Sequence, residues 1–199
     1  MEKYAVTITR QFGSLGRPIA VRLAELLRVE YFDRDIVEAS SRQMNLPVSV
    51  IGSEEEQAKT SFWNMMFPLG QSAMEIQDQI FETQRKIILE LAEKQTCIIV
   101  GRCSDYILEG YDNHINIYIY ASYEARLKNC VETLLMDEEE AKKMITKVDK
   151  ARDAYHMRYA KYHPEDIRHK DMMIDSSLLG VEGTARLLAE LVQSRTGSV

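Results

Sequence analysis

The chain has 199 residues, the size of one domain, and its 45% hydrophobic and 28% charged residues let it bury a core without disulfide or metal staples. A net charge of −6 excludes general nucleic-acid binding, because a phosphate backbone attracts a basic surface. Cys97, Cys103 and Cys130 show neither close pairing nor zinc spacing, there is no apolar run long enough to cross a membrane, and no basic segment precedes an apolar core at the start, so a cytoplasmic protein with reduced thiols, no signal peptide and no membrane contact is expected.

Tyr4–Thr9 is short, apolar and β-branched and runs straight into a glycine-bearing turn, which predicts a buried parallel strand. Pro18–Arg28 follows as a helix with Ile19, Leu23, Leu26 and Leu27 on one stripe, Pro18 sitting where a missing N–H does no harm. Tyr31-Phe32 ends a second strand at Asp33, and Asp35–Met44 reads as helical. Residues 45–70 mix Pro47, Gly52, Glu54–Glu56, Pro68 and Gly70; they read as an insertion over an active site or as a plain surface excursion. Gln71–Lys94 is a long amphipathic helix with Ile76, Ile80, Ile87, Ile88 and Leu91 as its core candidates.

Cys97–Val100 is another buried strand, ending at Gly101-Arg102, and Ile115–Tyr120 alternates isoleucine with Asn116 and tyrosine as a further strand. Helices are predicted over Tyr123–Leu135 and Glu138–Tyr162, then a strand at Met172–Ile174, a turn over Ser176–Gly180 and a last helix to about Gln193. Strands alternating with helices at this spacing predict an α/β fold with a parallel sheet flanked by helices on both faces.

The segment Thr7–Ala20 carries the strongest chemical signal. A strand, a tight loop with Gly13 and Gly16, and a helix in succession can aim backbone N–H groups and a helix N-terminus at one anion. Registered on Gly16, the standard G-x-x-x-x-G-K-[ST] loop finds Gln11 in place of its first glycine, Arg17 in place of lysine and Pro18 in place of the hydroxyl residue. On the motif alone a phosphate loop and a plain tight turn ending in a basic residue stand equal.

Five blocks in order decide between them. Ile8–Arg17 resembles the I-S-R-E-F-G-S-G-G-R segment of the cytidylate kinase-like family, and Ile99–Asp105 resembles its I-V-G-R-C-A-D strand end. Ala121–Leu127, Lys147–Tyr155 and Asp175–Gly183 resemble its post-strand helix start, its lid helix and its base-proximal loop with the last helix. The resemblance implies a single three-layer P-loop NTPase domain over 1–199 with a helical lid at about 142–170. It implies an ATP- and Mg²⁺-dependent phosphotransferase acting on a small phosphorylated acceptor such as CMP or dCMP. The alternatives are a nucleotide-binding module with little catalysis, or a kinase of another small acceptor.

By that resemblance Gly13, Ser14, Leu15, Gly16, Arg17 and Pro18 would form the ATP phosphate site, with Arg17 standing in for lysine and Leu15 in place of the family's usual glycine. Arg102 would hold the acceptor phosphate, Asp33 would lie near the acceptor pocket with Arg34 or Asp35 close by, and Ser176, Ser177 and Leu178 would lie near the base. Val100 takes the place of an aspartate that organises metal, and Asp105 could substitute for it or cap a helix. No metal ligand set is therefore assigned.

Between Lys142 and Lys170 nine lysines and arginines stand against four acids in an otherwise acidic chain. Arg152 and Arg158 are the choices for phosphate contacts, with Asp149 orienting Arg152 and Tyr155, Tyr159 and Tyr162 on one face; a solvated helix with ordinary ion pairs is the plain alternative. His114, His156, His163 and His169 lack metal spacing and read as surface residues, and Cys103 has no base to make it a nucleophile. Trp63, with Phe62, Met65, Met66 and Phe67, is read as packing or as a homodimer contact.

Overall fold

In the computed structural model, which describes residues 3–33, 42–43 and 71–197 (backbone alone for 71–76), five short strands form one wholly parallel sheet. They are β1 (Ala5–Arg10), β2 (Glu30–Phe32), β3 (Cys97–Val100), β4 (His114–Tyr120) and β5 (Met172–Asp175), in the spatial order β2-β3-β1-β4-β5. The helices among the described residues are α1 (Gly16–Leu27), α2 (Gln71–Lys94), α3 (Ser104–Ile107), α4 (Tyr123–Glu132), α5 (Glu138–Tyr159) and α6 (Gly180–Thr196), with a 3₁₀ turn at Ile167–His169.

The two-residue period of a strand splits its side chains between two cores. Val6 and Ile8 of β1, Ile98 and Val100 of β3, and Ile115, Ile117 and Ile119 of β4 face α1 and α6 through Ile19, Leu23, Leu188 and Val192. Ala5, Cys97 and Ile99 face the opposite way, onto Phe81, Ile87 and Ile88 of α2 and Ile107 and Leu108 at α3. Each central strand is buried on both faces, which requires the near-continuous apolar runs seen in the sequence. A smaller cluster of Cys130, Ala141 and Ile145 joins α4 to α5 and takes Phe12 from the loop after β1.

Most expected elements stand where periodicity places them, and Gln71–Lys94 and Cys97–Val100 match end to end. The basic helix stops at Tyr159, three residues before Tyr162, and α3 was not foreseen. Ile80, Ile87, Ile88, Ile19 and Leu23 are buried as expected. The helix expected over Asp35–Met44, the 45–70 insertion, the Trp63 cluster, Arg34 and Asp35 lie outside the described residues apart from positions 42 and 43, as does the side chain of Ile76.

A buried charge network pins α5 and the segment after it to the sheet. Asp105 Oδ2 accepts hydrogen bonds from Lys170 Nζ at 2.5 Å and His156 Nε2 at 2.9 Å, and the Asp105 and Lys170 side chains are both fully buried. His156 Nδ1 in turn meets the Tyr162 carbonyl at 2.8 Å, and Asn116 Nδ2 donates to the His169 carbonyl at 2.5 Å. Tyr162 stacks on His169 with ring centroids 3.7 Å apart. Two expectations are corrected here. His156 is a buried structural residue rather than a surface one, and Asp105 is neither a metal-organising nor an acceptor-facing carboxylate, because Lys170 and His156 seal it inside the fold.

Burial acts to raise the Asp105 carboxyl, but the hydrogen bonds and charges of His156 and Lys170 outweigh it and hold the group well below the usual carboxylate range. With an unfolded value of about 3.9, the network contributes stability that is present above about pH 4 and lost as pH falls toward the folded value. Asp105→Asn leaves Lys170 buried without its countercharge and is expected to cost about 3–5 kcal/mol in urea unfolding at pH 7. The decline in stability between about pH 5 and pH 2 should also be shallower in the variant than in the parent.

Candidate active site

The loop between β1 and α1 is strapped down from outside by its carbonyls. Arg126 Nη1 donates to the Phe12 carbonyl at 3.3 Å, Asn129 Nδ2 to the Gly13 carbonyl at 2.9 Å, and Ser176 Oγ to the Ser14 carbonyl at 2.7 Å. In a trans peptide each C=O opposes the next N–H, so the amides of Gly13, Ser14 and Leu15 are turned away from these straps. Gly13 has φ +78°, and a Cβ there would lie 2.8 Å from the Arg126 carbonyl oxygen and 2.9 Å from Cys130 Sγ. Only glycine satisfies both the backbone and the close approach of α4.

Leu15 takes the N-cap position of α1 in the left-handed region, with φ 56° and ψ 23°, and its side chain packs on the α1–α6 core. Leu15 offers no side-chain cap to α1, and the N-terminal amides of a helix have the character of an anion site. Pro18 lies in the first turn of α1 and contributes neither an N–H nor a hydroxyl. Ser14 brings its backbone to the loop but not its hydroxyl, which donates to the Gln11 and Ile119 carbonyls at 2.9 and 3.2 Å inside the fold.

The carboxyl ends of β1, β2 and β3 bring charged side chains together at one edge of this loop. Arg10 ends β1, Asp33 follows β2, and Arg102 follows β3, while Arg152 comes down from α5 and its Nη1 donates to the Arg10 carbonyl at 3.0 Å. Arg17 Nε stands 3.5 Å from Asp33 Oδ2, which also accepts from the Tyr31 hydroxyl at 3.3 Å. A cavity of about 70 Å³ lies between Arg10, Arg102 and Arg152, closed by Gly101, Cys103 and Tyr155. Gly101, Arg102 and Cys103 have φ of 73°, 62° and 53°, a run of left-handed residues that turns the chain sharply around the cavity.

Asp33 lies among these guanidinium groups, while Asp149, which also acts on Arg152, is paired with Arg126 and accepts from the Phe12 N–H at 2.7 Å. Burial lowers the pKa of Arg10 and Arg152; Arg102 lowers both further, Arg17 lowers Arg10, and Arg10 lowers Arg152, which falls to about 9. Burial acts to raise Asp33, but Arg10, Arg102 and Arg17 outweigh it and hold the carboxyl below its ordinary value. Crowded, partly desolvated cations are stabilised by an incoming anion.

Of the expected site residues, the structure brings Arg102 and Arg152 to this cavity, Gly16 against Arg10 beside it, and Arg17 against Asp33, while Gly13 packs on α4 and Leu15 on the α1–α6 core. Arg158 is held elsewhere, in a double ion pair with Asp78 of α2 at 2.8 Å, and does not line the cavity. Asp149 anchors the loop and Arg126 rather than Arg152. Ser176 ties the β5 turn to the loop, Ser177 donates from its N–H and hydroxyl to Asp175 Oδ1, and Leu178 is 77% exposed. Cys103 is buried, and burial pushes its thiol well above the usual range, so it is no nucleophile.

Arg10, Arg126 and Asn129 were not foreseen. Arg10 was legible as the charged last residue of a buried strand facing the Gly-bearing loop; Arg126 and Asn129, spaced three apart on a helix, carry no signal until α4 is placed against Gly13. Gly13→Ala is expected to cost about 1–3 kcal/mol of stability from strain and overpacking. It should also abolish any stabilisation by added ATP, read as the shift in thermal midpoint with and without nucleotide.

Three comparisons bear on the origin of this geometry. The structure aligns with an uncharacterized protein from Eubacterium ventriosum ATCC 27560 at TM-score 0.73 and 24% identity, over 96% of this chain and 99% of that one. It aligns with shikimate kinase from Bacteroides thetaiotaomicron at TM-score 0.56 and 10% identity, over 96% and 98%, and with shikimate kinase from Acinetobacter baumannii in complex with shikimate at 0.50 and 16%, over 98% and 94%. At these identities the likeness is one of fold, the P-loop NTPase fold of parallel sheet and flanking helices. No match is found among curated protein sequences. The model of the cytidylate kinase-like family matches residues 5–178, from the first residue of β1 to the turn after β5, and the chain therefore belongs to the cytidylate kinase-like family.

Proposed function

We propose that this protein is an ATP-dependent phosphotransferase of the nucleoside monophosphate kinase type, acting in the cytoplasm on CMP, dCMP or a related small phosphorylated acceptor. The observation that carries this reading is the convergence of Arg10, Arg102 and Arg152 around one cavity beside a glycine-bearing loop, with Arg17 and Asp33 next to it. Donor phosphates would lie on the amides of Gly13 to Arg17, and Arg102 would hold the acceptor phosphate. The α5 helix and the segment to Lys170 would serve as the lid, with Arg152 as its phosphate contact and the Ser177–Leu178 turn on the base side. The negative net charge and the lack of a membrane-crossing helix among the described residues support small-molecule partners over nucleic acid or lipid.

The transfer needs little covalent chemistry from the protein. A phosphomonoester is largely dianionic near neutral pH, so its oxygen attacks the γ-phosphorus without a general base. The γ-phosphorus–oxygen bond to ADP breaks, its electrons leave with ADP, and a new phosphorus–oxygen bond joins the acceptor. Magnesium takes phosphate oxygens, waters and one or two carboxylates. Among the described residues at this edge Asp33 is the carboxylate in reach, while Pro18 lacks a hydroxyl and Val100 a carboxylate. The residues fit a metal brought in by the nucleotide's phosphates and water, with Asp33 as its protein partner; when bound it would neutralise charge on the β- and γ-oxygens.

The Val100 and Pro18 positions favour a second reading, a nucleotide-binding module with little turnover. A phosphoryl-transfer screen with ATP and Mg²⁺ against CMP, dCMP, UMP, AMP and GMP separates the two. Turnover of one acceptor, reduced about 10²–10³-fold in Arg102→Ala, is the expected result. ATP-dependent stabilisation without turnover of any acceptor would reject the monophosphate-kinase reading and leave the binding module.

A further inference from the structure

The cation that a phosphate loop normally presents to the moving phosphoryl group sits in this sequence at Arg17, yet the structure sends that side chain elsewhere. Arg17 is turned toward β2 and Asp33, is 54% exposed, and borders a shallow groove on the outer side of α1 with Pro18, Val21, Arg22 and Glu25. It does not line the cavity beside the loop.

Arg10 does line it, and the fold is built around its side chain. A Cβ on Gly16 would lie 2.7 Å from Arg10 Cβ and 2.9 Å from Cγ, and a Cβ on Gly101 would lie 2.4 Å from Arg10 Nη1. Both glycines therefore make room for one arginine, whose stem passes the start of α1 and whose guanidinium reaches the turn after β3. That path runs from the donor loop to the Arg102 turn. Its main chain is fixed as well, by the bond from Arg152 to the Arg10 carbonyl. Arg102 and Arg152 flank the same cavity, and the Asp33 charge offsets part of the cost of burying the guanidinium.

We propose that Arg10, rather than Arg17, is the cation that holds the transferred phosphoryl group, spanning the gap between donor loop and acceptor side. The inference rests on the phosphotransferase reading for its catalytic consequence, though not for its binding consequence. In the transfer Arg10 stays protonated and donates to the non-bridging oxygens, while the bond to ADP breaks and the bond to the acceptor oxygen forms. A guanidinium suits this place because its planar fork can address two oxygens at once, which a lysine ammonium on the same stem cannot. Gly16 and Gly101 are then part of the same device, since a side chain at either would displace the fork.

Inorganic pyrophosphate is the probe, because it needs neither acceptor nor turnover. Its dissociation constant is measured by calorimetry on the full chain and on Arg10→Met, Arg10→Lys and Arg17→Met, with the thermal midpoint of each ligand-free variant recorded to confirm folding. The expected result is a loss of about 30-fold or more in Arg10→Met, partial recovery in Arg10→Lys, and a loss under about 5-fold in Arg17→Met, each tenfold step being about 1.4 kcal/mol. If Arg10→Met does not fold, the ranking of Arg10→Lys below Arg17→Met decides in the same way. Arg10→Met binding within about 3-fold of the parent, or Arg17→Met weaker than either Arg10 variant, overturns the proposal. An Arg10-dependent pyrophosphate site in a protein that turns over no acceptor upholds the proposal and rejects the kinase reading. Turnover with pyrophosphate binding indifferent to Arg10 does the reverse.

Discussion

Like charges crowd the carboxyl edge of the sheet, and the rest of the molecule is arranged to hold them there. Arg10, Arg102 and Arg152 come from a strand end, a strained turn and a distant helix, and they border one cavity with Arg17 and Asp33 beside it. Left to themselves these cations would swing apart into water, since each is long and hydrated. They are kept close because their backbones are fixed: Arg10 by the sheet, Arg102 by the left-handed run from Gly101 to Cys103, and Arg152 by its bond to the Arg10 carbonyl. The resulting field is a property of the folded scaffold, present before any anion arrives. Preorganisation of this kind is what makes electrostatic stabilisation effective in phosphoryl transfer.

The supports reach well beyond the site. The buried Asp105–Lys170–His156 network draws α5 against α3, and Arg158 with Tyr159 grips Asp78 of α2. The phosphate loop is gripped in turn from α4, from Asp149 of α5 and from Ser176 after β5. Asp149 therefore couples the loop to α5 through one carboxylate. Movement of α5 away from the sheet edge would loosen the loop as well. The basic character of α5 is divided between these tasks: Arg152 serves the cavity, and Arg158 the anchorage.

Much of this fold is legible in the sequence, because short β-branched runs and long amphipathic stretches announce themselves by period. Cys97–Val100 and Gln71–Lys94 are such cases. The four-residue α3 has too few turns to show a period, and the strand order with β1 at the centre depends on pairings between residues ninety and more apart. The site is legible in its residue types and less so in their directions. Arg152 and Arg158 look equivalent in a basic helix, but six residues turn a helix about 120° from its starting face, which sends one to the cavity and the other to Asp78. Asp105 looks like a site carboxylate or a helix cap and His156 like a surface residue until Lys170, distant in sequence from Asp105, arrives to satisfy the carboxylate. Ser14 and Ser176 look like ligand contacts, and both hydroxyls are absorbed by backbone carbonyls. Arg10 escapes notice because it counts as the end of a strand, while its side chain lies across two glycines far apart in sequence.

The most direct test of a preassembled phosphate site is a crystal structure of the protein grown with Mg²⁺ and a non-hydrolysable ATP analogue. The account predicts that the β- and γ-phosphates lie against the amides of Gly13 to Arg17, with the γ-phosphate oxygens within hydrogen-bonding reach of Arg10 and Arg152 and the loop backbone little changed. Phosphates bound on the outer face of α1 beside Arg22, or a loop that must break its bonds to Asn129 and Ser176 to admit them, would contradict it.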